Sequence, residues 1–142
     1  MIILGVDLGR TRTGLAVCDK GESFAFPRGI IKEYNREKLF EQIADKAHKE
    51  SAELIVVGLP RNMDGTEGFK AAESHEAAER LEALSGLPVV LWDERCTTVS
   101  AHQSLRLNGK KAKNSKDIVD TVAATLILEG YLRYRNKGKN SQ

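Results

Sequence analysis

Residues 2–18 read IILGVDLGRTRTGLAVC. The apolar run IILGVDL stops at Gly9, and a second apolar run, TGLAVC, begins only a few residues later. Short apolar runs bounded by glycine suit buried strands. So short a connection predicts that the two strands form a hairpin. One residue breaks the pattern. Asp7 sits near the end of the first run, and aspartate is depleted from strand interiors. A carboxylate there must be paired, hydrogen-bonded or metal-bound, because an uncompensated buried charge is costly. The competing reading is that Asp7 caps the Gly9–Thr13 turn through the backbone.

Working outward, residues 23–32 predict a third strand, broken near Pro27. Residues 35–50 place Leu39, Ile43 and Ala47 at fourfold spacing, which predicts a helix with one apolar face. ELIVVG at 53–58 is a buried strand, and Pro60, Asn62, Asp64 and Gly65 make 59–66 a loop. Residues 67–84 are helical, and PVVLW at 88–92 is a fifth strand. Thr97 or Thr98 can cap a helix to about Asn108. Residues 109–114, GKKAKN, form a basic loop. Ser115 can cap a last helix ending near Tyr134. Three strands in succession, then strands separated by a helix, imply a mixed five-stranded sheet covered by helices. A doubly wound nucleotide fold would alternate strand and helix from the start.

The chain has 142 residues, enough for one compact domain over 1–134. The basic stretch 135–142 reads as a disordered tail. No apolar run is long enough to span a bilayer, so no membrane partner is expected. Cys18 and Cys96 form no CxxC pair, and the N-terminal stretch reads as a core strand. Both features point to the cytoplasm. Residues 37–94 hold 13 Asp/Glu against 6 Lys/Arg, a net of −7. Residues 106–139 hold 9 Lys/Arg against 3 Asp/Glu, a net of +6. A basic final third on a near-neutral chain is either a nucleic-acid footprint or a solvated loop.

Two further acidic signals accompany Asp7. Asp93 and Glu94 end the fifth strand, where α/β folds place their sites. Adjacent strand residues face opposite ways, so one of the two would face Asp7, and spacing leaves open which. Asp120 shares a helical face with Ala124, Ile127 and Tyr131. Asp117 lies in the first turn of that helix, where it complements the dipole; Asp120 has no such explanation. Three acids on separate elements suit a hard cation, Mg²⁺ or Mn²⁺. His48, His75 and His102 have no ligand spacing and read as structural or solvated.

The stretches GVDLGRTRTGLAVCD at 5–19, IVVGLPRNMDGTEG at 55–68, LWDERCTTVSA at 91–101 and KDIVDTVAATLILEGYL at 116–132 resemble the YqgF/RuvX family. Members of that family are assigned as pre-16S ribosomal RNA nucleases and as relatives of Holliday-junction resolvases. Cys96 stands where the family's string usually has leucine. The resemblance implies an α/β, ribonuclease-H-like three-layer fold with the first strand central. It also implies a divalent-metal-dependent nuclease with Asp7, Asp93 or Glu94, and Asp120 as its acidic cluster. A two-metal site would have Asp7 bridging ions about 4 Å apart, with one remaining acid on each ion. Arg10, Arg12, Arg95 and Lys116 are candidate phosphate clamps, with Arg106, Lys110, Lys111 and Lys113 lining the substrate path. For Arg12 a solvent-facing charge is the simpler reading. RNA precursor and branched DNA both remain open as substrates, as do monomer and homodimer. Rival classes are an actin-like ATPase, suggested by D-x-G-x-x-x-T-G at 7–14, and a non-catalytic RNA-binding assembly factor. The first would need two such domains.

Overall fold

The computed structural model describes residues 1–60, 68–93 and 115–140, the side chains of 69, 115–120 and 138–140 excepted. Its order is β1 (Ile3–Asp7), β2 (Arg12–Cys18), β3 (Ala25–Lys32), α1 (Arg36–Lys49), β4 (Leu54–Leu59), α2 (Phe69–Ser85), β5 (Val89–Asp93) and α3 (Ser115–Asn140). The five strands form one sheet in the order β3-β2-β1-β4-β5. β1 pairs antiparallel with β2 and parallel with β4, and β4 pairs parallel with β5. The mixed sheet and the central first strand are as expected. The helix expected from Thr97 to Asn108 lies outside the described residues, as does most of the loop at 59–66.

Alternation along the strands splits the apolar side chains between two faces. Leu4, Val6, Leu15, Val17, Ile55 and Val57 pack on one face against Leu39 and Ile43 of α1 and Leu81 of α2. Ile3, Ala16, Cys18, Leu54 and Val56 pack on the other against Ala124, Ile127, Leu128 and Leu132 of α3. This is a helix–sheet–helix sandwich, three layers thick.

Local chemistry sets the helix ends. Asn35 Oδ1 accepts from Lys38 N at 3.0 Å, which caps α1. Gly86 ends α2 in the left-handed conformation (φ 73°), and its N–H donates to Glu82 O at 2.9 Å. Pro27 sits inside β3 without ending it. β3 is an edge strand, where a missing N–H costs no ladder bond, and the register shifts nearby between Gly14 and Ala16.

Two features fix α3. A Cβ on Gly5 would lie 2.9 Å from Leu128 Cβ and 3.2 Å from Ala124 O, so the helix rides directly on β1. Its far end reaches back: Arg135 Nε donates to Glu22 Oε1 at 2.8 Å, and Asn136 Nδ2 to Glu22 O at 3.0 Å. These contacts correct the expected end near Tyr134. Residues 135–140 continue the helix where a disordered tail was expected.

Candidate functional site

α3 crosses β1 in the opposite direction. Its C-terminal end meets Glu22, whose carboxylate also accepts from the Met1 amine at 2.9 Å, and its turn from Ala124 to Leu128 lies over Gly5. Two residues along β1, about 6.6 Å, lead from Gly5 to Asp7. Four residues back along α3, about 6 Å, lead from Ala124 to position 120. α3 thus runs N-terminally toward the end of β1 that carries Asp7. The expected partners of Asp120 on that face, Ala124, Ile127 and Tyr131, are all buried in the α3 cluster.

Asp7 is half-buried at the C-terminal end of the central strand and belongs to the α3 face, as Ile3 and Gly5 do. It is level with Gly14 on β2. The pairing of Val6 with Val57 brings it level with Gly58 on β4. No side chain therefore flanks Asp7 at its level on either neighbouring strand. The turn after it depends on Gly9, where a Cβ would fall 1.9 Å from Arg12 O. Gly9 N donates to Thr13 Oγ1 at 3.4 Å. Arg36, at the start of α1, donates Nη1 to Gly9 O at 3.2 Å and Nη2 to Arg10 O. Sequence reasoning missed Arg36; its only signal was a guanidinium in the first turn after an Asn cap.

Register separates the acids of the 93–94 pair. Val56 pairs with Val90 and Gly58 with Trp92 on the α3 face; Val57 pairs with Leu91 and Leu59 with Asp93 on the α1/α2 face. Asp93 thus leaves the sheet on the face opposite Asp7. Trp92, the residue on the Asp7 side, packs edge-on against Tyr131 with centroids 5.9 Å apart. Glu94, Arg95, Arg106, Lys110, Lys111 and Lys113 lie outside the described residues, and Lys116 and Asp120 are described by backbone alone. Among the described residues no group of three or more His, Cys, Asp or Glu could hold a metal. Arg10 is exposed and Arg12 half-buried; His48 and His75 are exposed, as expected. A cavity of about 260 Å³ lined by Leu8, Arg36, Phe40, Ala72, Glu73 and Glu76 lies between α1 and α2, on the face away from Asp7. Among the described residues no helix is long and apolar enough to cross a membrane.

Comparison with known proteins agrees with the fold. A family model described as RuvX, Holliday junction resolvase, matches residues 1–134. A protein of Halothermothrix orenii, provisionally named a pre-16S rRNA nuclease, is 38% identical over 137 residues, which cover 96% of this chain and 98% of that protein. One from Anaeromyxobacter sp. (strain K), with the same provisional name, is 43% identical over 137 residues, covering 95% and 98%. In structure, the chain resembles T. thermophilus RuvC solved with a Holliday junction substrate: the TM-score is 0.61 at 17% identity, over 96% of each chain. The fowlpox virus Holliday junction resolvase gives 0.56 at 14% identity, over 94% of this chain and 99% of that one. Both likenesses are of fold.

Proposed function

The chain belongs to the RuvX family, and from that premise we propose that it is a divalent-metal-dependent endonuclease that cleaves nucleic-acid phosphodiesters in the processing of pre-16S ribosomal RNA. The observation that supports the reading is the place of Asp7, a half-buried carboxylate on the α3 face at the carboxyl end of the central strand, level with glycine on both neighbouring strands. We assign Asp120, on the helix that packs across the same strand, to the same end of the sheet. The substrate assignment comes from the relatives' shared name.

The residues fit a hard divalent ion, Mg²⁺ or Mn²⁺. Asp7 is a carboxylate held on a rigid strand between two glycine positions, and oxygen donors suit such ions. Asp7, Asp120 and Glu94 are the ligands we assign, in a two-metal arrangement. Glu94 is chosen over its neighbour because the register turns Asp93 to the other face. An ion held there supplies Lewis-acid polarisation of the phosphate and a more acidic water. The chain's own contribution is position and charge. β1 holds Asp7, α3 carries Asp120 in this assignment, and Arg36 fixes the turn after Asp7. Arg10, Arg95, Lys110, Lys111, Lys113 and Lys116 are the cations we assign to substrate phosphates. Cytoplasmic residence fits this substrate.

Resolution of a Holliday junction is the second reading, favoured by the family model's description. It needs two active sites, and therefore a homodimer. Incubation of the purified protein with a pre-16S transcript and with a four-way DNA junction, with and without Mn²⁺, separates the readings. Metal-dependent cleavage of the transcript alone is the expected result. Cleavage of the junction alone would move the assignment to DNA, and binding without cleavage of either would favour a non-catalytic assembly factor.

A further inference from the structure

Arg36 opens α1, yet its side chain bonds to backbone carbonyls on two other segments. Nη1 donates to Gly9 O at 3.2 Å and Nη2 to Arg10 O, both on the turn that leaves β1 after Asp7. The same guanidinium lies 3.5 Å from Glu33 O and 3.5 Å from Tyr34 O, on the chain between β3 and α1. One planar group thus clips the turn after Asp7 to the start of α1, across 26 and 27 positions of sequence.

The rest of the turn has other ties. Gly9 N donates to Thr13 Oγ1 at 3.4 Å, and Glu33 N donates to Thr11 O at 3.1 Å. Between them stands Arg10, and Arg36 supplies the hold on its carbonyl. The Arg10 side chain is exposed and pairs with no described residue, so its guanidinium is available to a phosphate three positions after Asp7. The type of residue at position 36 matters as much as its charge. A guanidinium is a flat fork of five donors and can address carbonyls from two segments at once. A lysine ammonium carries the same charge at a single, more strongly hydrated point and cannot span them.

We infer that Arg36 is a positioning residue for substrate binding: it fixes the backbone from which Arg10 meets a phosphate of the RNA beside Asp7. This rests on the reading of the protein as a nuclease and on the assignment of Arg10 to phosphate. Ordering a loop on binding weakens affinity, and a turn already fixed has less freedom left to lose. Arg36 therefore governs how tightly substrate is held and not the chemical step.

The test compares Arg36→Lys, Arg10→Gln and the double variant in two assays. One is fluorescence anisotropy with a labelled pre-16S RNA fragment in EDTA, where cleavage is off, across a range of KCl. The other is Mn²⁺-dependent turnover of the same RNA. Arg10→Gln should weaken binding about tenfold and lower the salt slope by roughly 0.7 to 0.9, one phosphate contact. Arg36→Lys keeps its charge, yet should reproduce most of both losses, raising KM with little change in kcat. The double variant should bind no worse than Arg10→Gln, because both changes act through one contact. Should Arg36→Lys fold poorly, Arg36→Gln carries the test through the same non-additivity with Arg10→Gln. A lower melting temperature with wild-type KM and salt slope would make Arg36 a structural tie only. Losses that add in the double variant, an Arg10→Gln variant that binds as wild type does, or a fall in kcat at unchanged KM would also overturn the proposal. All of these leave the nuclease reading standing. A wild-type protein that neither binds nor cleaves RNA overturns both.

Discussion

The two ends of the central strand each hold an acid drawn in from water, and the two acids live differently. Near the N-terminal end, Glu22 is 5% exposed and surrounded by donors. Arg135 and the Met1 amine donate to its carboxylate and Asn136 to its backbone carbonyl, and the carboxylate's hydrogen bond raises the pKa of Arg135 above the ordinary guanidinium value. At the C-terminal end, Asp7 is half-buried and level with two glycines. Burial of a carboxylate therefore says little by itself. What surrounds it separates an acid that ties the fold together from one positioned for chemistry. The first is answered by cations from its own chain; the second is the acid we assign to a metal ion.

The sharpest way to break this contrast is to neutralise the acid at each end. Asp7→Asn should abolish metal-dependent cleavage and leave the melting temperature unchanged or higher, since it relieves repulsion among clustered acids. Retained activity would remove Asp7 from the mechanism, and a large loss of stability would make it a second Glu22. Next, Glu94→Gln should reduce cleavage far more than Asp93→Asn, because register sends Asp93 to the other face. The reverse order in a turnover assay would mean that the strand does not keep its alternation to the end. Glu22→Gln should do the opposite of Asp7→Asn. It leaves the partly exposed Arg135 without its counter-charge, and a loss of about 2 kcal/mol in a denaturant melt is expected, with activity at low temperature retained.

Gly5→Ala probes the link between the ends. Its Cβ would press on Leu128 and on the carbonyl of Ala124, lifting α3 from β1 at about 1–3 kcal/mol. Because α3 also carries position 120, cleavage should fall along with stability. A variant that lost stability alone would show that the helix can tilt without disturbing the site. The smallest effect belongs to Asp19, a half-buried loop acid whose pKa is lowered chiefly by the N–H of Phe24, with those of Ser23 and Gly21 assisting. A carboxyl with a depressed folded pKa stabilises above its unfolded value and stops doing so as pH falls through the folded one. The gap in melting temperature between wild type and Asp19→Asn should therefore close on going from neutrality into acid.

How much of this was legible beforehand varies with the range of the physics involved. The strands and α1 were readable because apolar runs and fourfold spacing are local signals, and Asn35 and Gly86 mark helix ends within a few residues. Asp7 was readable because it interrupts an apolar run. The choice within 93–94 was not, since it depends on which of β4's residues each one pairs with. Glu22 could not be found either: it lies in a polar turn, and its partners are 113 and 114 positions away. The same contacts explain why the basic stretch after Tyr134 was misread. Composition there resembles disorder, but Arg135 and Asn136 have a fixed destination. Arg12 and Lys32 became neighbours only once the ladder between their strands was known.

The order of the sheet has a bearing on biosynthesis. The strand that carries Asp7 is made first among the five, yet it ends in the middle. Once the ribosome has released residue 32, β1 can already be covered on one side by the β2–β3 hairpin. Its other edge must wait until residue 59 has emerged, and α3, which closes the face over Gly5, comes last of all. During that interval the nascent chain displays an unpaired, apolar strand edge, the kind of surface that templates aggregation and recruits chaperones. Slow translation between residues 32 and 59 should lower the yield of native protein more than equal slowing after residue 93, when the sheet is already complete.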